Sequence, residues 1–215
     1  MCNLYSQKKS LQEVKDWFNI NSVDPSAGNL PELKSIFPGY KAPVVLRQEG
    51  GKSLEMMKWG FVLLHKNKAP KYINNCRDDR LTESIFWKSS FVERRCLIPA
   101  SKFSEYHPFK KNEKGHKASV WFELEAEELF AFAGIWKRFR GKLKGNHAEF
   151  NTFSIVTTKP NSIVKSIHPT RMPVILDPDS YDFWLDEDID LAVNLIKSYP
   201  SQLMRISKIG SNSDD

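Results

Sequence analysis

The second residue of the chain is a cysteine, and this position gives it chemistry that an internal cysteine lacks. The chain begins Met1-Cys2-Asn3, and a cysteine side chain is small enough for aminopeptidase to remove the methionine before it. Cys2 would then carry an α-amine with a pKa near ~8 and a thiol with a pKa near ~8.5. Such a 1,2-aminothiol attacks an aldehyde first through nitrogen, giving a Schiff base, and then through sulfur, closing a thiazolidine. The alternative is an ordinary residue at a frayed terminus.

The other two cysteines indicate no further chemistry of their own. Cys76 and Cys96 have neither CxxC spacing nor a nearby pair of histidines. Three cysteines in this arrangement predict neither a disulfide framework nor a zinc site, and we expect no metal and no cofactor. Cys96 opens the apolar stretch Cys96-Leu97-Ile98-Pro99 and is predicted to be a buried core thiol.

Length and composition predict one folded domain. The chain has 215 residues, 40% of them hydrophobic, with six Trp and fourteen Phe, enough to bury a substantial core. Two small domains are the alternative. The formal net charge of +6 permits an anionic partner such as nucleic acid without requiring one. No apolar run of membrane-spanning length and no leader are recognised, so we expect a monomeric, soluble, cytoplasmic protein with reduced thiols, nucleoid-associated if bacterial.

Short strands and short helices alternate along the chain. A capping box at Ser10-Leu11-Gln12-Glu13 predicts a first helix over about 10–20, and further helices are expected at 82–87, after Pro160, after Pro178 and at about 190–197. Alternating or β-branched runs predict strands at 43–46, 54–64, 96–99, 103–106, 118–124, 129–136, 152–158, 171–176 and 203–209. Strands 118–124 and 129–136 are predicted to form one hairpin, and 21–42, 65–71 and 137–147 to be loops. These elements predict an α+β domain with antiparallel sheet over residues 2–210, followed by a polar tail at 211–215.

Four segments, in consistent order, carry a resemblance to one protein family. They are Met1-Cys2, then Trp59-Gly60-Phe61, then Asn75-Cys76-Arg77 with 95–100 and Phe103-Ser104-Glu105-Tyr106, and finally 153–158 with 167–176. From residue 2 to about 210 the chain resembles the SOS response-associated peptidase family, whose members crosslink themselves to abasic sites in single-stranded DNA. The resemblance implies a single domain with a central antiparallel, barrel-like β core, short peripheral helices and a basic groove ending at the mature N-terminus. It also implies a thiazolidine between the N-terminal cysteine and the ring-opened aldehyde of an abasic deoxyribose.

The same resemblance implies a site built from Cys2, Asn75, Glu105 and His168. A partly buried Glu105 would exchange protons during Schiff-base formation, and His168 would act at the sugar oxygen. The Asn75 amide would orient the N-terminus and the sugar, and Arg77 would bind a phosphate bidentately. Taken singly, these residues have ordinary alternatives: a solvated carboxylate, a helix-end histidine, a turn residue and a surface charge.

The chain departs from the family pattern beside the cysteine. Asn3 and Leu4 stand where members commonly have glycine and arginine. One phosphate contact is therefore predicted to be lost, or to be made by Lys66, Lys68 or Arg80. Cys76 replaces a usual alanine, which makes it either a second thiol near the site or a filler of a small core gap.

Two other functions are compatible with the same residues. An N-terminal-nucleophile cysteine hydrolase, such as a peptidase, would tolerate Cys2→Ser at a reduced rate, whereas a thiazolidine requires sulfur. A non-catalytic module could bind single-stranded DNA through its basic groove and aromatics such as Trp59 and Phe61. Such a module would release DNA at high salt, because phosphate contacts are screened, whereas a covalent adduct would persist.

Overall fold

A computed structural model describes residues 2–66, 68–143, 145–186 and 188–215, and its secondary structure is mostly strand. The strands are β1 (Leu4–Gln7), β2 (Ile20–Val23), β3 (Leu33–Ile36), β4 (Lys41–Gln48), β5 (Gly51–Trp59), β6 (Phe61–His65), β7 (Lys68–Ile73), β8 (Asn75–Arg77), β9 (Arg95–Ala100), β10 (Lys102–Lys111), β11 (Lys117–Leu124), β12 (Phe130–Leu143), β13 (Asn146–Thr158), β14 (Met172–Pro173), β15 (Ile175–Leu176) and β16 (Met204–Gly210). The α-helices are α1 (Leu11–Phe18), α2 (Ile85–Glu93), α3 (Ser162–Lys165), α4 (Tyr181–Asp186) and α5 (Ile189–Asn194). Short 3-10 turns lie at Pro25–Ala27, Asp78–Arg80, Pro178–Ser180 and Ser201–Leu203. In the described part of the chain, every helix is too short or too polar to cross a lipid bilayer.

Five strands close into a barrel, which confirms the predicted barrel-like core. Their order is β13, β12, β9, β4 and β5, and β5 pairs back onto β13. This closing pair is parallel, with Phe153 opposite Trp59, while the other neighbours in the ring are antiparallel. Val44 and Leu46 belong to the same hydrophobic cluster as the side chains of Trp59 and Phe153. Val45 belongs to a second cluster that includes residues of α1 and α2, as expected when successive side chains of a strand point to opposite faces.

A second sheet carries the first strand of the chain. Its order is β16, β11, β10, β1 and β3. The predicted hairpin of 118–124 with 129–136 is therefore wrong, because β11 pairs with β10 and β16, whereas β12 pairs with β9 and β13. The intervening segment crosses from one sheet to the other. Both strands are buried, so the local pattern predicts each strand correctly without indicating its neighbour.

Several predicted boundaries also change. The capping box of α1 is confirmed, since Ser10 and Glu13 bond reciprocally. Residues 21–42 and 137–147 are not simply loops, because they contain parts of β2, β3, β12 and β13. The predicted strand 54–64 breaks at Gly60, which has φ +117°, and where an added Cβ would lie 2.9 Å from the Tyr72 Cβ. Only glycine fits that bend easily, and beyond it β6 and β7 form a hairpin where the basic loop 65–71 was predicted.

The polar C-terminal tail is anchored to the second sheet. Asp214 is 1% exposed, and its carboxylate accepts a 2.7 Å hydrogen bond from the Ser6 hydroxyl of β1. The same carboxylate lies 3.1 Å from the Lys102 ammonium of β10. The Asp214 backbone N–H donates to the Lys34 carbonyl of β3. The tail therefore ties together three strands, including the one that leads back to Cys2.

We expect Asp214→Asn to lower the free energy of unfolding by about 1–3 kcal/mol, because it removes the charge from a buried, charge-assisted hydrogen bond. Urea unfolding at neutral pH measures this. The matched control is Asp215→Asn, whose carboxylate is 60% exposed and pairs with Lys34; it should unfold like the wild-type chain. Equal stability of all three chains would contradict a structural role for the tail.

Candidate active site at the chain start

The pairing of β1 with β10 places the beginning of the chain beside a carboxylate. Leu4 lies opposite Ser104 in antiparallel register, so the residues before Leu4 run toward Glu105 and Tyr106. Cys2 is fully buried and belongs to the same cluster as the barrel interior. Its sulfur lies 3.6 Å from the Leu4 carbonyl oxygen. Met1, whose removal is predicted, lies outside the described residues.

Two adjacent asparagines hold the Cys2 backbone. The Asn75 side-chain amide donates to the Cys2 carbonyl at 2.7 Å, and the Asn74 amide donates to the same oxygen at 3.1 Å. Asn75 is positioned by β8, which runs parallel to β13 with Asn75 opposite Ile155. The Trp59 indole N–H donates a 2.8 Å hydrogen bond to the carbonyl oxygen of Asn74, the residue before Asn75. Trp59 thus positions Asn74, and the orienting role of Asn75 stays a prediction.

Asn75 also offers an unused acceptor. Asn75 is 6% exposed, and its Oδ1 atom has no hydrogen-bond partner among the residues that the structure describes. A buried carbonyl oxygen without a partner costs free energy, so such an atom is suited to accept a bond from a ligand hydroxyl or from an amine. Sequence reasoning found Asn75 but missed Asn74. The doublet Asn74-Asn75 was the available signal.

Glu105 is a buried carboxyl on β10, beside the start of the chain. It is 4% exposed on β10, and burial raises its pKa to about 7. Burial, together with the negative charge of Glu105, raises the pKa of the Cys2 thiol. The two side chains therefore interact electrostatically, and Glu105 changes its charge near neutral pH, where a proton donor and acceptor is most effective.

A carboxyl whose pKa is raised by folding makes the folded state bind more protons than the unfolded state. The pKa of Glu105 is 4.5 in the unfolded chain and about 7 in the folded one. The free energy of unfolding therefore falls as pH rises through this range, by roughly 3 kcal/mol in total. Because Glu105→Gln cannot ionise, we expect its free energy of unfolding to match the wild type near pH ~4.5 and to exceed it by about 1–3 kcal/mol at pH ~8. Urea titrations at both pH values measure the difference.

Glu123→Gln serves as a control of opposite sign. Burial raises the pKa of Glu123, but Lys102 and Arg205 outweigh it and lower the pKa overall. Its charge therefore stabilises the fold at high pH and loses that effect as pH falls. The Glu123→Gln chain should be less stable than wild type at pH ~8. A Glu105→Gln chain that is also destabilised there would contradict the burial effect.

His168 lies three residues after α3. Its backbone N–H donates to the Val164 carbonyl at 2.8 Å, and Val164 belongs to the cluster that contains Cys2. The ring nitrogen Nδ1 lies 3.0 Å from the Arg171 carbonyl oxygen. A proton on Nδ1 would donate to that oxygen and leave Nε2 as a base. Burial lowers the pKa of His168, which favours the neutral ring.

The arginine predicted to bind phosphate is paired with an acid. Arg77 is exposed, and its guanidinium binds Asp79 through two hydrogen bonds of 2.9 and 2.5 Å. The Arg171 side chain, within the segment 167–176, is 14% exposed and pairs with Asp78 and, at 3.4 Å, with Asp79. A phosphate can bind Arg77 bidentately only by displacing Asp79. The consecutive acids Asp78-Asp79 were the signal for this pairing.

The other predicted phosphate ligands lie on two different segments. Arg80 is exposed in the 3-10 turn after Arg77. Lys66 is exposed at the tip of the hairpin of β6 and β7. Lys68 begins β7, and its side chain lies outside the described part of the structure. β7 leads directly into the two asparagines of the site, so this hairpin adjoins it along the chain.

The remaining thiols are buried core residues, and Cys96 belongs to the same cluster as Cys2. Cys76 is fully buried in the cluster that packs against the helices, whereas Cys2 lies in the other cluster. Of the two readings of Cys76, the structure supports the core filler. Cys96 is fully buried as predicted, in contact range of Gly134, where an added Cβ would lie 2.9 Å from the Cys96 sulfur.

The fold and the site define a class of protein: an α+β domain with a closed barrel, in which a cysteine at the chain start is held by an amide and faces a buried carboxyl. Residues 1–212 match the family model described as SOS response associated peptidase (SRAP). The chain belongs to that family.

Relatives and solved structures agree with this assignment. The chain is 27% identical to the abasic site processing protein YoqW of Bacillus subtilis, over 98% of this chain and 93% of that protein. It is 26% identical to the abasic site processing protein YoaM of the same organism, over 98% and 92%. A crystal structure of a protein from Bacteroides thetaiotaomicron is similar with a TM-score of 0.77 at 21% identity, covering 95% of this chain and 90% of that one. The last similarity concerns the fold alone.

Proposed function

We propose that this protein, after removal of Met1, acts as a monomer that captures abasic sites in single-stranded DNA through a thiazolidine formed by Cys2. The observation that carries the proposal is the juxtaposition of Cys2, held by the Asn75 amide at 2.7 Å, with the buried carboxyl of Glu105, whose pKa is about 7. The abasic site processing proteins similar to this chain give the substrate class.

The reaction balances without a cofactor. The α-amine of Cys2 adds to the aldehyde of the ring-opened deoxyribose, and the carbinolamine loses one water to give the Schiff base. The thiol then adds across the C=N bond, its proton passing to the nitrogen, and the five-membered ring closes. One aldehyde and one aminothiol thus give one thiazolidine and one water.

Glu105 supplies the proton transfers at nitrogen. In its acid form it donates to the departing hydroxyl of the carbinolamine, and as a carboxylate it accepts the proton from the adding thiol. A pKa of about 7 keeps both forms populated at neutral pH. The unpartnered Oδ1 of Asn75 is available to the α-amine or to a sugar hydroxyl.

His168 is proposed to act at the sugar oxygen. The abasic sugar is a cyclic hemiacetal, and opening it to the aldehyde moves the proton of the C1 hydroxyl to the ring oxygen. The neutral ring of His168 would accept the hydroxyl proton at Nε2 and return a proton to the ring oxygen. We expect His168→Ala to slow adduct formation by about 10–100-fold on a cyclic abasic site. A simple aliphatic aldehyde needs no ring opening, so its rate with His168→Ala should equal that of wild type. Equal slowing on both substrates would contradict the assignment.

DNA is proposed to bind through cations of the segments that adjoin the site along the chain. The candidates are Arg77, Arg80, Lys66 and Lys68. Position 4, where the family resemblance points to arginine, holds Leu4, which is 2% exposed and paired in β1. Because Arg77 pairs with Asp79, a DNA phosphate must displace Asp79 to bind the Arg77 guanidinium. Phosphate contacts of this kind weaken with salt, while a covalent adduct does not.

The deciding experiment incubates the protein with an abasic-site oligonucleotide and resolves the mixture on a denaturing gel. Mass spectrometry first verifies that Met1 is absent. We expect a shifted band whose mass equals protein plus DNA minus one water, and no such band with Cys2→Ala. The absence of a band with the wild-type chain, or an undiminished band with Cys2→Ala, overturns the proposal. A hydrolase or a plain DNA-binding module would give no band.

A further inference from the structure

The hairpin of β10 and β11 extends past the start of the chain. β1 pairs with β10 only up to Leu4, opposite Ser104, and in the described sheet the neighbours of β10 are β1 and β11. The part of β10 after Tyr106 therefore has no strand on its β1 side. On the other side β11 pairs with β10 up to Tyr106 and again at Lys111, which lies opposite Lys117, and the register is irregular between these two pairs. Residues 107–117 are called the overhang below.

The overhang carries an exposed aromatic ring at a fixed position. Phe109 is 88% exposed, and its ring lies edge to face with that of His107, with the ring centroids 6.4 Å apart. The His107 Nδ1 atom accepts hydrogen bonds from the backbone N–H groups of Phe109 at 3.1 Å and Lys110 at 2.9 Å. These bonds hold the backbone that presents the ring, while one face of the ring stays open to solvent.

The charges of the overhang are mainly positive. It contains four exposed lysines, and in the described part of the chain none of them forms an ion pair: Lys110, Lys111, Lys114 and Lys117. Lys111 lies directly opposite Lys117 in the strand register, a like-charge arrangement that is unfavourable in the free protein. An anion bound between them would relieve this repulsion. Glu113 is the one acidic residue of the overhang.

The overhang is also close to the reacting groups. Phe109 follows Glu105 by four residues of the same strand, so their Cα atoms are at most ~14 Å apart. A strand of DNA whose abasic sugar reaches Cys2 would place a nearby nucleotide at this distance. Its phosphates would meet the lysines, and its base would meet the open face of the ring.

We propose that the overhang binds the single-stranded DNA that flanks the abasic nucleotide, with one base stacked on Phe109 and the phosphates contacted by Lys110, Lys111 and Lys117. The inference rests on the proposed function and specifies where the intact strand lies. A base must be unpaired to offer its face to a side chain, so the occupant is single-stranded rather than duplex DNA. A cluster of lysines beside one aromatic ring fits a polyanion better than it fits a protein partner.

The test measures binding of an undamaged, fluorescently labelled thymidine oligonucleotide by anisotropy at several salt concentrations. We expect Phe109→Ala and Phe109→Leu to weaken binding about tenfold, and Phe109→Trp to retain it, because stacking needs an aromatic face. Lys110→Ala and Lys111→Ala should each reduce the magnitude of the salt slope by about 0.7. The control is Phe183→Ala, whose ring is 54% exposed on α4 beside acidic residues; it should bind like wild type.

A second readout separates this surface from the covalent chemistry. At saturating abasic DNA, the single-turnover rate of adduct formation by Phe109→Ala should equal that of wild type, and at low DNA it should fall about tenfold. If wild type forms no adduct but Phe109→Ala still weakens DNA binding, the surface stands and the covalent function fails. If adducts form normally while the Phe109 and lysine variants bind like wild type with unchanged salt slopes, the surface proposal is overturned. A larger effect on duplex than on single strands also overturns it.

Discussion

A chain with serine in place of Cys2 is expected to lose stable capture of abasic DNA completely. The α-amine remains, so a Schiff base still forms, but oxygen closes the ring far less favourably than sulfur and the Schiff base hydrolyses. On a denaturing gel we expect no band from Cys2→Ser alone, and a band when borohydride is added to reduce the Schiff base. The wild-type band should appear with or without the reductant.

The matched control for that substitution is Cys76→Ala, which changes a thiol in the other core cluster and should leave adduct formation unchanged. A stable, reductant-independent band from Cys2→Ser would show that sulfur is not needed and would sink the thiazolidine mechanism. Turnover of a peptide substrate by Cys2→Ser at a reduced rate would instead favour the hydrolase, because a serine hydroxyl can replace a thiol in that chemistry.

Glu105→Gln carries the second largest expected effect, a fall of about 100-fold in the single-turnover rate of adduct formation near neutral pH. The wild-type rate should be bell-shaped in pH, because it requires a deprotonated α-amine and a protonated Glu105, whose pKa is about 7. The amide of the variant cannot ionise. Its rate should therefore rise as the amine loses its proton and then level off, without an alkaline decline.

Rapid-quench measurements between pH ~5 and ~9 distinguish the two profiles. Glu123→Gln, on the neighbouring strand β11, is the control and should keep the bell shape. If Glu105→Gln also keeps a bell-shaped profile with an unchanged maximum, another group supplies the proton. The predicted gain in stability of Glu105→Gln at alkaline pH accompanies its loss of rate, which is the trade expected where a buried carboxyl serves function at the expense of the fold.

The ion pair of Arg77 with Asp79 limits the positive charge that the site can offer to DNA. With Asn3 and Leu4 in place of the glycine and arginine to which the family resemblance points, the two side chains after Cys2 contribute no cation. Arg77 is held by Asp79, so its charge is partly neutralised before DNA arrives. The unpaired lysines of the overhang are therefore well placed to supply the attraction that the chain start does not.

The sequence by itself predicted the family of this protein and the chemistry open to its second residue. The reactivity of a 1,2-aminothiol follows from the position of Cys2 alone, and the capping box at Ser10 and Glu13 is a local signal that α1 obeys. The order of short motifs around Asn75, Glu105 and His168 predicted the family, which the match over residues 1–212 confirms. The roles of these residues stay predictions.

Only the tertiary structure decided which strands are neighbours. Residues 118–124 and 129–136 are strands as predicted, yet they belong to different sheets, and the barrel closes through a parallel pair of β5 and β13. Pairing of this kind depends on contacts between residues far apart in sequence, which local periodicity does not encode. The same reason explains why the polar tail is anchored through Asp214 rather than free.

The electrostatic state of the site was likewise decided by the fold. A glutamate has the same intrinsic pKa wherever it occurs in a sequence, and desolvation raises it only when distant segments bury it. At Glu105 the burial comes from the fold around β10, which raises its pKa to about 7. The sequence named the aminothiol and the carboxyl; their proximity, and the proton exchange that it permits at neutral pH, exist only in the folded chain.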